Sequence, residues 1–220
     1  WVFPGQGSQK LGMADPVLSL SGASQRFAMA SELLGRDLLA ICQGNSSGGS
    51  GPDDLNDTRN TQPALFVVES LLVDNLIEQG RDAELVAGHS LGELVALYAA
   101  GVFDLETGLK LMQTRSELMA AAGGGAMTAV IGFDRSQLEA LVNDTEGVSI
   151  ANDNSDAQVV ISGQPDAVQS VSETLKCKRA IPLAVSGAFH SPFMAEAAEA
   201  FATTLDDVSF RDARIPVLSN

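Results

Sequence analysis

Gly88-His89-Ser90-Leu91-Gly92 is the stretch on which the reading of this chain turns. It follows the apolar run Leu85-Val86-Ala87 and opens a second one, Leu94-Val95-Ala96-Leu97-Tyr98-Ala99-Ala100, closed by Gly101. Strand, glycine-flanked turn and helix are the setting of a G-x-S-x-G nucleophile elbow. Glycines on both sides of the serine let the backbone take a strained turn and let strand and helix approach without a Cβ clash. The Ser90 hydroxyl then stands at a helix N-terminus, where free N–H groups and the positive dipole end stabilise an oxyanion. A plain Gly-rich strand-to-helix turn is the alternative. The same pattern recurs at Gly44-Asn45-Ser46-Ser47-Gly48, but in a Gly/Ser tract (44–51) with no strand before it and no apolar helix after it. That tract reads as a loop.

Upstream, Trp1-Val2-Phe3 reads as a strand running into Pro4-Gly5-Gln6-Gly7-Ser8-Gln9. The turn lacks the Gly-Lys-Ser/Thr of a phosphate loop and fails G-x-G-x-x-G at the third glycine. It remains a Gly-rich turn that can offer Gln side chains or N–H groups to a site. Helices are expected over 23–34, with Ser21 or Ser24 as cap, and over 37–43, capped by Asp37. A longer helix is expected over 62–79, capped by Thr61 with Pro63 in its first turn. Asp104 caps another that runs to about 122 and ends at Gly123-Gly124-Gly125. Alternation of helices with nearly all-apolar strands predicts a parallel sheet sandwiched by helices, an α/β core of the hydrolase-like kind.

From Ala126 the pattern changes. Strand 127–131, helix 134–142, strands 148–150 and 159–161 around an Asn-rich turn, helix 165–175 and strand 180–185 make a β-α-β-β-α-β order, a ferredoxin-like subdomain. A helix from Ser191-Pro192 to about 205 and a core strand at 215–218 return to the first pattern. The expected organisation is therefore a large subdomain of 1–125 and 186–220 with a small one, 126–185, inserted. The chain starts inside a strand without an initiator Met and stops directly after one, so a longer parent protein is expected.

Composition bounds the function. Of 220 residues, 45% are apolar and 19% charged, as in a globular protein. A net charge of −15 argues against nucleic-acid binding and means that an anionic ligand must find a local basic site. Two cysteines, Cys42 and Cys177, and two histidines, His89 and His190, argue against a disulfide scaffold and a metal site. No apolar run has membrane-spanning length and no signal peptide is present, which predicts a cytoplasmic (or, after processing, organelle-stromal) setting.

A nucleophilic Ser90 needs a base. His89 adjoins it and points away from the elbow, which reads as packing and hydrogen bonding beneath the turn. His190 precedes the helix start at Ser191-Pro192, whose dipole keeps an imidazole neutral and ready to accept a proton; a satisfied loop histidine is the alternative. Arg115, among Leu111, Met112, Leu118 and Met119, reads by itself as a surface pairing partner. Lys176-Cys177-Lys178-Arg179 is the one dense basic cluster, ordinarily a solvated face.

Taken together, Phe3-Pro4-Gly5-Gln6-Gly7-Ser8-Gln9, Gly88-His89-Ser90-Leu91-Gly92-Glu93 and Gly187-Ala188-Phe189-His190-Ser191 resemble the family of malonyl-CoA:acyl-carrier-protein transacylases, also found as acyltransferase domains of polyketide and fatty-acid synthases. The resemblance covers essentially the whole chain. It extends to Thr61-Gln62-Pro63-Ala64, Ala151-Asn152-Asp153-Asn154 and Pro216-Val217-Leu218-Ser219-Asn220, and departs at 44–51, which is longer than the family's loop. It implies that Ser90 carries the malonyl group and His190 is the base. Arg115 would hold the malonyl carboxylate, and Gln9 with the Leu91 N–H would form the oxyanion hole. Phe189 would leave little room for an α-methyl branch, and Lys178 and Arg179 would dock the carrier protein. The implied partners are malonyl-CoA and acyl carrier protein, with CoA and phosphopantetheine as substrate-borne groups. No bound cofactor, metal, nucleic acid or membrane is implied, and a monomer is expected. The family's later segment, which supplies an acceptor for the histidine, has no match before Asn220, so an inactive fragment is one alternative. A serine hydrolase or thioesterase, whose acid would lie between Ser90 and His190, is another. Arg115 and the inserted subdomain favour the transferase.

Overall fold

Helix starts and strand pairings organise the chain around the elbow. The computed structural model describes residues 1–45, 54–185 and 187–220; residues 46–51 of the Gly/Ser tract lie outside the described residues. The fold is mixed α/β with separate parallel and antiparallel sheets, and the chain divides into two compact units, Trp1–Glu117 with Thr203–Asn220, and Leu118–Ala202.

In the first unit, β1 (Val2–Phe3), β2 (Val86–Gly88) and β7 (Val217–Leu218) form a parallel sheet with β2 in the middle. Val2 and Phe3 pair with Ala87 and Gly88, and Val86 and Ala87 pair with Val217 and Leu218. Around it run α1 (Ala23–Leu34), α2 (Leu38–Gln43), α3 (Thr58–Glu78), α4 (Leu91–Ala99) and the greater part of α5 (Leu105–Ala121). The apolar runs explain the core: Ala64 to Val68 and Leu71 of α3, Leu91 and Val95 of α4, and Leu109 and Met112 of α5 are all buried.

Asp37 and Asp104 cap as expected, accepting from the N–H groups of Ala40 and Thr107, each at 2.9 Å. Two starts differ. α1 begins after Gly22, left-handed at φ 75°, and neither Ser21 nor Ser24 caps it. α3 begins a turn before Thr61, capped by Asp57, whose Oδ1 accepts from the Arg59 N–H at 2.9 Å. The Thr61 hydroxyl is instead spent on the Leu55 and Asp57 carbonyls. Pro63 therefore sits inside the helix, where it cannot bond the Arg59 carbonyl. Arg36 Nη2 donates to that carbonyl at 2.9 Å and replaces the missing donor.

In the second unit, β3 (Ala126–Phe133), α6 (Arg135–Asp144), β4 (Val148–Ser155), β5 (Gln158–Gly163), α7 (Pro165–Thr174) and β6 (Cys177–Pro182) build an antiparallel sheet of order β4-β5-β3-β6. Side chains alternate across it. Val130, Val159 and Ile161 pack with Leu138, Val168, Val171 and Leu175, while Met127, Ala129 and Val160 form a second cluster. β4 and β5 are longer than expected: Asn152 and Asn154 belong to a bulged β4, and only Asp156 and Ala157 separate the strands. β6 starts three residues earlier than 180, because the basic cluster pairs with β3 (Cys177 opposite Phe133, Arg179 opposite Ile131). Among the described residues no helix is long and apolar enough to cross a membrane.

Candidate active site

β2 runs straight into the turn, and Ser90 takes φ 54°, ψ −111°, a conformation that L-residues rarely hold. The turn is possible because Gly88 and Gly92 have no side chains. A Cβ at Gly88 would fall on the backbone of Gly92 and Glu93, and one at Gly92 on the Phe3 and Pro4 carbonyl oxygens. A Cβ at Gly5 would come within 2.5 Å of the His89 oxygen. Three backbone segments thus meet at the elbow, as its sequence predicts. Leu91 opens α4, so its N–H points out of the helix start without an intrahelical partner. His89 departs from expectation: rather than packing beneath the turn it is exposed, its N–H bonded to Phe3 O at 2.9 Å and its ring beside Gly5.

Ser90 Oγ accepts a hydrogen bond from Arg115 Nη2 at 3.1 Å, and Arg115 Nη1 donates to Gln62 Oε1 at 2.5 Å. Arg115 is therefore not a surface pairing partner, because α5 aims it back at the elbow. Burial pushes its pKa down to about 10 while the Glu93 charge pulls the other way. Both of its hydrogen-bond partners are neutral. A partly buried guanidinium whose hydrogen-bond partners are neutral has the chemistry to take a carboxylate in two parallel hydrogen bonds.

Asn220 closes the other side. Its Oδ1 accepts from the Ser90 N–H at 3.3 Å, and its Nδ2 donates to Gly88 O and to Glu93 Oε2, each at 2.7 Å. Ser219 Oγ donates to Glu93 Oε1 at 2.6 Å. Glu93 lies in the first turn of α4, where a negative charge is favoured.

Gln9 is not drawn to the serine. Its Oε1 accepts from the Gly7 N–H at 2.7 Å and its Nε2 donates to Asn56 Oδ1 at 3.0 Å. It is Gly5, earlier in the same turn, that touches the elbow.

The remaining candidates belong to the second unit. His190 is exposed and takes φ 55°, a second non-glycine residue in the left-handed region. Ser191 supports the bend, with Oγ donating to Ala188 O at 2.6 Å and accepting from the Phe193 N–H at 3.3 Å. The expected α-helix start at Ser191-Pro192 is instead a 3-10 turn, Pro192–Met194, with α8 (Ala195–Asp206) following. Phe189 is only 4% exposed and packs with Met127, Ala129 and Val160. Lys178 and Arg179 are exposed on the edge strand β6.

The structure thus brings Ser90, Leu91 and Arg115 together and adds Gln62, Glu93 and Asn220, none of which carried a role in the sequence reading. Gln62 and Asn220 fall in stretches that resemble the family, Thr61-Gln62-Pro63-Ala64 and Pro216 to Asn220, which was the only signal for them.

The family model described as "Acyl transferase domain" matches residues 1–220. A malonyl CoA-acyl carrier protein transacylase of Synechocystis sp. is 50% identical over the whole chain, which spans 73% of that relative. The enzyme of the same name from Escherichia coli K12 is 41% identical, again over the whole chain and 73% of its own length. The crystal structure of the Synechocystis transacylase superposes with a TM-score of 0.93, covering 100% of this chain and 73% of that one. A structure described as a type II PKS acyl-carrier protein in complex with its malonyl-transacylase gives a TM-score of 0.89 at 39% identity, over 100% of this chain and 73% of that one.

Proposed function

The chain belongs to the acyl transferase domain family, and from that premise we propose that it moves a malonyl group from malonyl-CoA to the phosphopantetheine thiol of an acyl carrier protein, through a malonyl ester on Ser90, for fatty-acid or polyketide synthesis. The observation that carries this is the contact of Arg115 with the elbow serine: a half-buried cation held within hydrogen-bonding distance of a nucleophile suits an acyl group that ends in a carboxylate.

The reaction runs in two half-reactions. The Ser90 hydroxyl attacks the thioester carbonyl while His190 takes its proton. The tetrahedral oxyanion faces the Leu91 N–H at the start of α4. Collapse expels CoA as its thiol, with the proton returned by His190. The carrier's pantetheine thiol, deprotonated by His190, then attacks the ester and regenerates Ser90. Arg115 holds the free carboxylate through both steps, so a malonyl group is favoured over acetyl, which would leave the cation unmatched. The Gly5–Gln9 turn, which approaches the elbow at His89, supplies the second oxyanion donor through its backbone. Gln9, committed to Gly7 and Asn56, then braces the turn.

The parallel sheet and its elbow fit a hydrolase-like core, and the strand order β4-β5-β3-β6 with its two helices fits a ferredoxin-like insertion at 126–185. Phe189, packed in the second unit, acts on substrate choice by setting the backbone that carries His190; shape of this kind discriminates malonyl from methylmalonyl by about 1–3 kcal/mol. Exposed Lys178 and Arg179 suit an acidic carrier protein. Free thiols at Cys42 and Cys177 suit a reducing cytoplasmic or stromal setting.

Steady-state transfer with malonyl-CoA and carrier protein both varied tests the reading. Parallel double-reciprocal lines are expected, with little free malonate. Malonate released as fast as malonyl-carrier forms would make the protein a hydrolase. In the same assay Lys178→Glu with Arg179→Glu should raise KM for the carrier while acylation by malonyl-CoA stays within about twofold; equal loss of both half-reactions would remove the docking role.

A further inference from the structure

An acid whose charge reaches Arg115 stands one helical turn from the nucleophile. Glu93 follows Ser90 by three residues in the first turn of α4, and Arg115 Nη2 is bonded to Ser90 Oγ, so a carboxylate and a guanidinium serve the same short stretch of chain. Such groups ordinarily close into a two-bond ion pair. Here they do not: among the described residues no ion pair joins them, and the guanidinium bonds instead to the neutral Gln62 and Ser90 oxygens. The carboxylate is occupied elsewhere. Ser219 Oγ donates to its Oε1 at 2.6 Å and Asn220 Nδ2 to its Oε2 at 2.7 Å, one donor to each oxygen, both from the residues that follow β7.

From this geometry we propose that Ser219 is a specificity-determining positioning residue: with Asn220 it ties the Glu93 carboxylate to the end of β7 and so keeps Arg115 open to the carboxylate of the acyl group. The inference rests on the reading of Arg115 as the receptor for that carboxylate. A carboxylate built into the site competes in every molecule, at an effective concentration of about millimolar order for a short tether. Malonyl-CoA then binds only the fraction of molecules whose guanidinium is open, and its apparent affinity falls by that fraction. Two hydrogen bonds to the charged acceptor, together with the dipole at the start of α4, lower the Glu93 carboxylate's need for a cation. With the Ser219 hydroxyl gone, Oε1 is released to take a guanidinium N–H in its place. The two anchors differ in what else they hold. The Asn220 side chain also bonds the Ser90 N–H and Gly88 O, whereas the Ser219 hydroxyl bonds Glu93. Ser219 is exposed as well, so it can be changed without disturbing the elbow or the core. An acetyl group carries no carboxylate and is indifferent to what occupies Arg115.

Acyl-enzyme formation from malonyl-CoA and from acetyl-CoA tests the proposal in wild type, Ser219→Thr, Ser219→Val, Ser219→Val combined with Glu93→Gln, and Arg115→Ala. Ser219→Thr keeps the hydroxyl and should keep the wild-type preference. Ser219→Val has the shape of the threonine variant without its hydroxyl. It is expected to raise KM for malonyl-CoA by roughly tenfold, with kcat and the reaction of acetyl-CoA little changed. Adding Glu93→Gln removes the competing charge and should restore the preference for malonyl-CoA, which damage to the elbow cannot do. The positioning role is overturned if Ser219→Val keeps the malonyl-CoA KM within about twofold of wild type, or slows malonyl-CoA and acetyl-CoA alike. It is equally overturned if Glu93→Gln fails to restore the preference. In each of these cases an Arg115→Ala variant that loses the preference leaves the reading of Arg115 standing. If Arg115→Ala keeps the preference, that reading fails and the proposal falls with it.

Discussion

Ser90 and His190 are the two non-glycine residues at positive φ among the described residues, at 54° and 55°. Such backbone conformations cost on the order of 1–3 kcal/mol each and persist only where the surroundings over-determine them. At Ser90 the surroundings are the close backbone approaches at Gly88 and Gly92 and the Asn220 clamp on its N–H. Local pattern reveals such a residue, because the strain needs glycines at fixed offsets, and the elbow was legible for that reason. Arg115 was not legible from its own helix, since a cation among Leu111, Met112 and Leu118 looks the same whether it faces solvent or a serine 25 positions away. Gln9 shows the converse limit, because a Gln beside a glycine turn offers a donor in the sequence but its carboxamide is committed to Gly7 and Asn56. Gln9→Ala should therefore lower kcat by less than about tenfold, against the 10²–10³ typical for loss of an oxyanion donor. A drop into that larger range, with an unchanged melting curve, would return the donor role to its side chain.

Helix α3 opens with a run of buried polar residues, Thr58, Asn60, Thr61 and Gln62, with Pro63 immediately after. Thr61 is a strong capping residue and Pro63 a strong first-turn residue, so local propensity points to a start at 61. The earlier start depends on Arg36, more than twenty positions upstream, which donates to Asn60 Oδ1 and to the Arg59 carbonyl that Pro63 leaves unserved. No window of neighbouring residues contains that information. Arg36→Leu should destabilise the protein by about 1–3 kcal/mol in chemical denaturation. The loss should be smaller in a Pro63→Ala background, where residue 63 regains its N–H; equal losses in both backgrounds would uncouple the arginine from the proline. β6 repeats the lesson in a strand: Lys178 and Arg179 look like loop residues until β3 supplies their backbone partners, and charges on an edge strand also discourage further pairing.

For the molecule as a whole, stability carries a mark of one acidic residue. Glu69 on α3 is 6% exposed, faces a largely apolar cavity of about 460 Å³ lined by Trp1, Phe3, Leu65 and Leu72, and among the described residues has no hydrogen-bond partner for either carboxylate oxygen. Burial pushes its pKa up from 4.5 to about 8. The folded protein therefore keeps a proton that the unfolded chain gives up near pH 4.5, and stability contributed by the neutral form is complete below that pH and lost as the pH rises towards about 8. Tm should fall over that window in the wild type and less in Glu69→Gln; parallel Tm profiles would mean that the carboxyl is solvated. The apolar-strand pattern and the change of period at Ala126 made the separate parallel and antiparallel sheets legible, because burial on both faces and on one face leave different sequence periods. Cavities and desolvated charges leave no such trace.

One covalent event at the elbow decides the mechanism. Intact-mass measurement after incubation with malonyl-CoA, on wild type and Ser90→Ala, reads it directly. The predicted result is a gain of one malonyl group on the wild type, discharged by carrier protein, and no gain on Ser90→Ala. A malonyl adduct that survives the loss of the Ser90 hydroxyl, or a wild type that never acquires one, would contradict it.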